Sequence, residues 1–361
     1  MLPQLSIVGI GAVTPVGLTA LQTCAAIRAR LSGFGASFSM PPPLDPIVGA
    51  RVPAGRNLKR SPLNWLVNLA ARAISECMHS IEGHENNIAL LIAIPDRYRN
   101  HPAFKELAPE DFLQTLKKTL GVQLHPSSTV LEGGHAAAMA GVAVARKLLA
   151  AGVEFCIVGG VDSLLNRDDI ARLATASRLH DDSNPQGLIP GEAAGFVVLS
   201  AADAAHATSP LARILGIGLS TEQDTVLGEK YSTAVGLRKA VEDAVRDARC
   251  DEAQVSFRVS DMNGERYRAL ESLMYSTRYY RTRRASLPVW YPAASLGDVG
   301  AASGALTLII AAVGLARGYA AGPIAVCEAS SDQGLRAACV VATLPGSPIP
   351  PFRSLSLQGR C

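Results

Sequence analysis

His135 is the residue whose type and setting point most directly to chemistry. It lies in Leu131-Glu132-Gly133-Gly134-His135-Ala136-Ala137-Ala138, where a glycine pair opens onto an alanine-rich run. Ala136, Ala140, Gly141, Ala143, Ala145 and Ala150 leave that run little side-chain bulk, which predicts a helix packed closely on all sides. The first turn of such a helix presents free backbone N–H groups, a natural seat for a nucleophile. The residue at this mouth is His135, or Gly134 with a shift of one position. An imidazole oriented by a carboxylate can act as general base toward water or a hydroxyl. A second polar stretch, Asp261-Met262-Asn263-Gly264-Glu265-Arg266-Tyr267-Arg268, reads either as a site loop or as a turn that caps a helix with its acids. Arg278, Arg281, Arg283 and Arg284, interleaved with Tyr279 and Tyr280, form the most basic patch, suited to an acidic partner or to a solvated face. No His/Cys spacing supports a metal site, and no cofactor is expected.

These residues need a scaffold, and the chain alternates short apolar strands with helices. Ser6–Gly11 predicts a strand, a turn follows at Thr14-Pro15-Val16-Gly17, and Leu18–Arg30 has helical spacing. The glycines at 9, 11 and 17 do not fit a dinucleotide fingerprint. Residues 32–60, rich in Pro and Gly, read as a surface excursion. Helices are expected over Asn64–Ile81 and Pro102–Leu120, with strands at Ile88–Ile94 and Phe155–Gly160. An insertion with a helix spans 162–178, and 178–188 is polar and turn-rich. Pro190-Gly191-Glu192 turns into a strand ending at Leu199. A second series begins near Leu211: helix 239–247, strand 255–259, helix 266–275, glycine loop 295–302, helix 304–317, and strands 323–328 and 337–343. Two such series point to an α/β layered protein built from two similar halves, divided at 205/206.

The 361 residues suffice for one large core or two fused halves. Apolar content of 48% against 18% charged suits a globular chain. A net charge of +3 is too small to argue for nucleic acid or a membrane surface. The apolar run 306–321 is interrupted by Gly314, Arg317 and Gly318, so it reads as a buried helix and not a membrane span. No secretory signal is visible at Met1–Leu5, and the seven cysteines lack CxxC spacing, so a reducing cytoplasm is the expected setting.

Several segments resemble the β-ketoacyl-ACP synthases. Ser6–Gly17 is similar to their opening, Pro190–Leu199 to their P-G-E-G-A-G strand entry, and Gly159-Gly160 with the helix before it to the segment that carries their nucleophile. Gly297-Asp298-Val299-Gly300-Ala301-Ala302-Ser303-Gly304 resembles their second-histidine loop, with altered spacing. The resemblance runs nearly end to end. It implies a thiolase-like fold, with duplicated βαβαβαββ halves (1–205 and 206–361) in a five-layer αβαβα arrangement, usually a dimer.

The family's catalytic residues do not carry over. Its cysteine falls at His135 or Gly134, its first histidine at Asn263 or Met262, and its second at Asp298 or Gly297. Its glycine-rich gating loop becomes Ser331-Asp332-Gln333-Gly334. Condensation needs a thiolate and neutral donors to an enolate, and an ionised Asp298 would repel that charge. The resemblance therefore implies a degenerate site at His135, Asn263 and Asp298, with Gly134, Glu265, Ser331 and Gln333 as candidate binding residues. Two readings of the site stay open: His135 paired with Asp298 as a rebuilt acyl transferase or hydrolase, or both residues packing and capping their own loops. The expectation is a non-catalytic member acting by association, as a chain-length-factor-like subunit or a scaffold. Expected partners are a second copy or an active ketosynthase, and an acyl carrier protein. An active ketosynthase with an unfamiliar site is the third reading.

Overall fold

The computed structural model describes residues 3–38, 47–53, 61–83, 88–95, 97, 109–202 and 209–344. Ten strands form one sheet in the order β10-β9-β11-β12-β8-β1-β7-β6-β4-β5. The first five in sequence on this sheet are β1 (Leu5–Val13), β4 (Ala89–Ala93), β5 (Thr129–Leu131), β6 (Cys156–Ser163) and β7 (Glu192–Ala201). The second five are β8 (Ala212–Thr221), β9 (Phe257–Ser260), β10 (Val289–Trp290), β11 (Ile324–Ser330) and β12 (Leu335–Ala342). Each set pairs first strand with last, last with fourth, fourth with second and second with third, with the same sequence of antiparallel and parallel pairings. The two sets join only where Leu5–Ile7 of β1 pairs with Ala212–Ile214 of β8. The expected boundary at 205/206 lies outside the described residues.

Strand periodicity explains the layers. On β6 and β7, Cys156, Val158, Val197 and Leu199 face one core, while Ile157, Phe196 and Val198 face another. The outer core on that side is filled by α2 (Pro62–Met78) and α3 (Pro109–Leu120). On β11 and β12, Cys327, Cys339 and Val341 face the shared core, and Val326 and Val340 face a third core under α6 (Val235–Asp247) and α7 (Arg266–Tyr279). Between the two sheet portions lie α4 (Ala137–Ala150) and α9 (Ser303–Ala316). Every residue of α9 from Ser303 to Leu315 is buried, as a helix apolar on all sides must be. This is the five-layer αβαβα architecture that the family resemblance implies.

Local signals set the helix starts. Ser61 Oγ accepts from Asn64 N–H at the start of α2, with Pro62 in the first turn. Thr19 does the same for α1 (Ala20–Arg28), and Asn166 for α5 (Arg167–Thr175). Residues 32–60 need correction. They contain β2 (Phe34–Phe38) and β3 (Ile47–Ala50), which pair antiparallel, because the Pro/Gly content of the segment hides two short strands. Helix α8 (Ala293–Leu296) is a single turn inside the predicted glycine loop. Of the helix expected at 102–120, Pro109–Leu120 is observed, and 102–108 lie outside the described residues. Two further strands have no sequence signal: β5 and β10 hold only three and two residues, too few for a periodic pattern.

The glycine pair of β6 has a steric purpose. A Cβ on Gly160 would sit 2.1 Å from the Ala301 carbonyl, so the loop before α9 can lie directly on the strand. The reciprocal contact is Gly300, at φ +50°, where a Cβ would lie 2.0 Å from Asp162 Oδ2. Gly300→Ala is therefore expected to cost about 1–3 kcal/mol, from left-handed backbone strain plus displacement of Asp162. Chemical denaturation would measure it. A variant as stable as the parent would mean that this loop is free to move off β6.

Candidate functional site

His135 sits one residue into a short 3-10 turn, Gly134–Ala136, that leads directly into α4. Gly133 and Gly134 have φ of +120° and +61°, so the turn that aims His135 needs glycine at both positions. Asp298 comes from the opposite side, in the loop between α8 and α9, and Asn263 from the loop between β9 and α7. The fold thus brings His135, Asn263 and Asp298 together. His135 Nε2 lies 2.8 Å from Asp298 Oδ1, which also accepts from Gly300 N–H at 2.9 Å. Asn263 Nδ2 donates to Asp298 Oδ2 at 2.7 Å and to Glu265 Oε2 at 2.9 Å. All three side chains are buried.

A belt of ion pairs continues from Glu265. Arg178 donates to Glu265 Oε1 and Oε2 at 2.7 and 2.8 Å, and to Asp332 Oδ2 and Oδ1 at 2.7 and 3.2 Å. Arg268 donates to Asp332 Oδ1 at 2.8 Å and to the Ser330 carbonyl. Its guanidinium lies 3.6 Å from Asp261, which accepts from Ser330 N–H at 2.8 Å. On the far side of the pocket, Arg97 holds Asp162 at 2.7 and 2.9 Å and Asp169 at 2.6 and 2.9 Å.

Mutual charge sets the protonation states. Burial disfavours an imidazolium, but the charge of Asp298 and its hydrogen bond outweigh that, against a smaller opposing push from Arg268, and the His135 pKa rises. Burial would likewise raise Asp298, yet His135, Arg268 and Asn263 hold it far below the usual carboxylate range. Asp332 is held low in the same way by Arg178 and Arg268 despite its burial. Asp261 goes the other way: burial lifts it to about 6, with Arg268 and His135 only partly offsetting the rise. The shift favours the protonated, ion-paired form of His135, in which neither ring nitrogen keeps a lone pair to act as a base.

A cavity of about 250 Å³ opens beside this pair, lined by Gly134, His135, Asp298 and Gln333 among others. Of the sequence-predicted residues, these four line it, while Asn263, Glu265 and Ser331 stand behind its wall. Ser331 Oγ donates to the Gly133 carbonyl and accepts from Ala136 N–H at 2.9 Å, so its hydroxyl and one helix-mouth amide are already committed. Among the described residues, no cysteine lines the cavity. Burial pushes the thiols of Cys24, Cys156 and Cys339 up to about 12, which keeps them protonated. Among the described residues, no group of three or more His, Cys, Asp or Glu is arranged to hold a metal ion.

The other candidates resolve in structural terms. Glu265 is the residue before α7 but makes no side-chain cap; the loop 261–265 instead carries Asn263 and Glu265 to the His135–Asp298 cluster. The basic patch is largely spent on its own surroundings: Arg278 bonds the Thr233 carbonyl, Arg281 the Arg278 carbonyl, and Arg284 pairs with Glu252. Trp65 donates to Glu192 at 2.9 Å, and Trp290 packs against Phe257 and Tyr319. Sequence reading missed Arg97, Asp162, Arg178 and Asp332. Asp162 carried a signal as a lone acid closing an apolar strand after Gly159-Gly160-Val161, and Asp332 lay between the candidates Ser331 and Gln333.

No family model and no curated protein matches the chain. Solved structures do match its fold. A type II polyketide synthase acyl-carrier protein in complex with its ketosynthase bound to the hexaketide (AntDE:AntF) aligns with TM-score 0.80 at 14% identity, covering 95% of this chain and 100% of that one. The ishigamide ketosynthase/chain length factor aligns at 0.78 with 17% identity, covering 95% and 100%. The ketosynthase from module 6 of the bacillaene synthase from Bacillus subtilis 168 aligns at 0.75 with 12% identity, covering 94% and 72%. The chain has the thiolase-like ketosynthase fold. No helix among the described residues is long and apolar enough to cross a membrane.

Proposed function

We propose that this chain is a non-catalytic ketosynthase-fold protein that acts by association, as a chain-length-factor-like subunit of a fatty acid or polyketide-type synthase or as a scaffold. One observation carries the reading. At the mouth of α4, where acyl transfer would require a nucleophile, stands a histidine ion-paired with Asp298, and the adjacent hydroxyl of Ser331 is committed to backbone. His135, Asn263 and Asp298 are in this reading the remnants of a catalytic triad, and the halves 1–205 and 206–361 form one unit in the cytoplasm. Its partner is a second copy or an active ketosynthase, with an acyl carrier protein serving the pair. The likeness to a ketosynthase/chain length factor supports this reading.

A rebuilt hydrolase or acyl transferase is the second reading, favoured by one observation, the 2.8 Å His135–Asp298 contact beside an open cavity. Against it stands the raised His135 pKa, which disfavours the free base that such a reaction needs. Intact-mass measurement after incubation with acyl-CoA and acyl-carrier-protein donors separates the two, with free acid assayed in parallel. The expected result is no adduct on this chain and no released acid, with an adduct on a co-purified ketosynthase. An adduct on this chain, or acid released at a rate lost in His135→Ala, would overturn the proposal.

A further inference from the structure

We propose that the cavity at the N-terminus of α4 is a binding site for a small monocarboxylate with a compact apolar body. The proposal deepens the non-catalytic reading, since a site without a nucleophile can retain a ligand unreacted.

Hydrogen-bond accounting carries it. The carboxylates around the cavity have spent most of their lone pairs on protein donors. Asp162 accepts from Arg97, Ser163 N–H and Ala301 N–H. Asp298 accepts from His135, Asn263 and Gly300 N–H. Asp332 accepts from Arg178 and Arg268. What remains unspent is a set of donors. His135 is 8% exposed and uses Nε2 on Asp298, and its Nδ1 has no partner among the described residues although the ring lines the cavity. The Gly134 and His135 amides, the first two of the turn that runs into α4, have no acceptor among the described residues either, whereas the Ala136 amide is taken by Ser331. At the mouth, Arg172 meets Asp169 through one nitrogen at 3.2 Å, its side chain 41% exposed.

A nearly buried imidazole donor, two helix-start amides and a guanidinium converge on an acceptor with negative charge. The apolar part of the wall is Leu164, Leu173, Leu188, Leu227 and Ala301, which suits an apolar body. At about 250 Å³ the space lies below the roughly 300–1,000 Å³ typical for drug-sized ligands, so the body is short. The charged groups facing His135 are Asp298 before α9, Arg268 on α7, Asp332 after β11 and Asp261 after β9. Their net effect raises the His135 value, so affinity is expected to fall as pH rises through it.

Hexanoate is the probe and hexanamide its neutral match. Titration followed by the imidazole resonances of His135 is expected to give saturable hexanoate binding with Kd on the order of 0.1–1 mM. Hexanamide is expected to bind about tenfold more weakly, or worse, since it lacks the charge that strengthens such hydrogen bonds. Leu227→Trp, which fills the mouth from a residue 59% exposed and so leaves the fold intact, should abolish binding. Arg172→Met should weaken hexanoate severalfold and leave hexanamide unchanged. Equal binding of acid and amide, an unchanged hexanoate isotherm in Leu227→Trp, or no saturation by about 20 mM overturns the proposal. Turnover of a hexanoyl thioester would instead sink the non-catalytic reading, and the hexanoate isotherm would still judge this one.

Discussion

Arg178→Met is expected to lower the free energy of unfolding by about 3–5 kcal/mol, because it strands buried charge and not merely because it deletes contacts. The guanidinium makes four hydrogen bonds to two carboxylates and is 7% exposed. Without it, Glu265 keeps the Asn263 amide, its own N–H to Asn263 Oδ1, and a distant Arg268 nitrogen at 3.9 Å. Its charge is then only weakly compensated in a site where it is 4% exposed. Asp332 is better placed, since Arg268 still donates to it at 2.8 Å and its side chain is 23% exposed. Arg178→Lys should recover only part of the loss, because an ammonium cannot present the planar fork that engages both carboxylates at once. Asp332→Asn should cost less than Arg178→Met for the same reason of exposure. Urea unfolding with shared m-values is the measurement. A loss under about 1 kcal/mol for Arg178→Met would mean that the belt is solvated, as surface pairs are.

The contrast between Arg178 and α9 explains how much of this protein could be read from its sequence. Helix α9 is apolar on every face and β7 is a nearly unbroken small-apolar run, so both announce themselves locally, and the alternation of elements then gives the layers. The start of α6 was placed four residues late, at Lys239 and not Val235, because Ala234 enters the helix from a left-handed conformation (φ +60°) with no capping side chain to mark it. His135 and the loop that holds Asn263 stood out by residue type and setting, but that they meet Asp298 was legible only through the family resemblance. Arg178 was not legible at all. Its carboxylate partners lie 87 and 154 positions away, and Arg97 meets Asp162 across 65, so no window along the chain holds both halves of any of these pairs. Long-range charge pairing is a property of the assembled layers, and a polar turn-rich segment such as 178–188 reads the same with or without it.

Stability should also depend on pH in a way that separates two buried groups. His135 has a folded pKa above its ordinary 6.5, so its contribution is fully present below 6.5 and is lost as pH rises through the folded value. Asp298 has a folded pKa below 3.8, so its contribution is present above 3.8 and is lost as pH falls through the folded value. Asp261 is raised from 3.8 to about 6, so its folded form holds a proton that the unfolded chain has released, and stability declines as pH rises between those values. The expected profile therefore peaks on the acid side of neutrality and falls in two steps. The first, between 3.8 and about 6, belongs to Asp261, and the second, above 6.5, to His135. Asp261→Asn should flatten the first step and keep the second, since the amide can still accept from Ser330 N–H. His135→Gln should flatten the second and keep most of the first, because Arg268 and burial, the two largest influences on Asp261, remain. Asp298→Ala should be the most damaging of these, by about 3–5 kcal/mol where His135 is protonated, because it leaves a buried imidazolium, the Asn263 amide and the Gly300 N–H without their acceptor. Denaturation midpoints measured across the pH range would test all three. If one substitution flattened both steps, His135 and Asp261 would be titrating as a single coupled unit, and the ion pair with Asp298 would not be the separate structural clasp that its geometry describes.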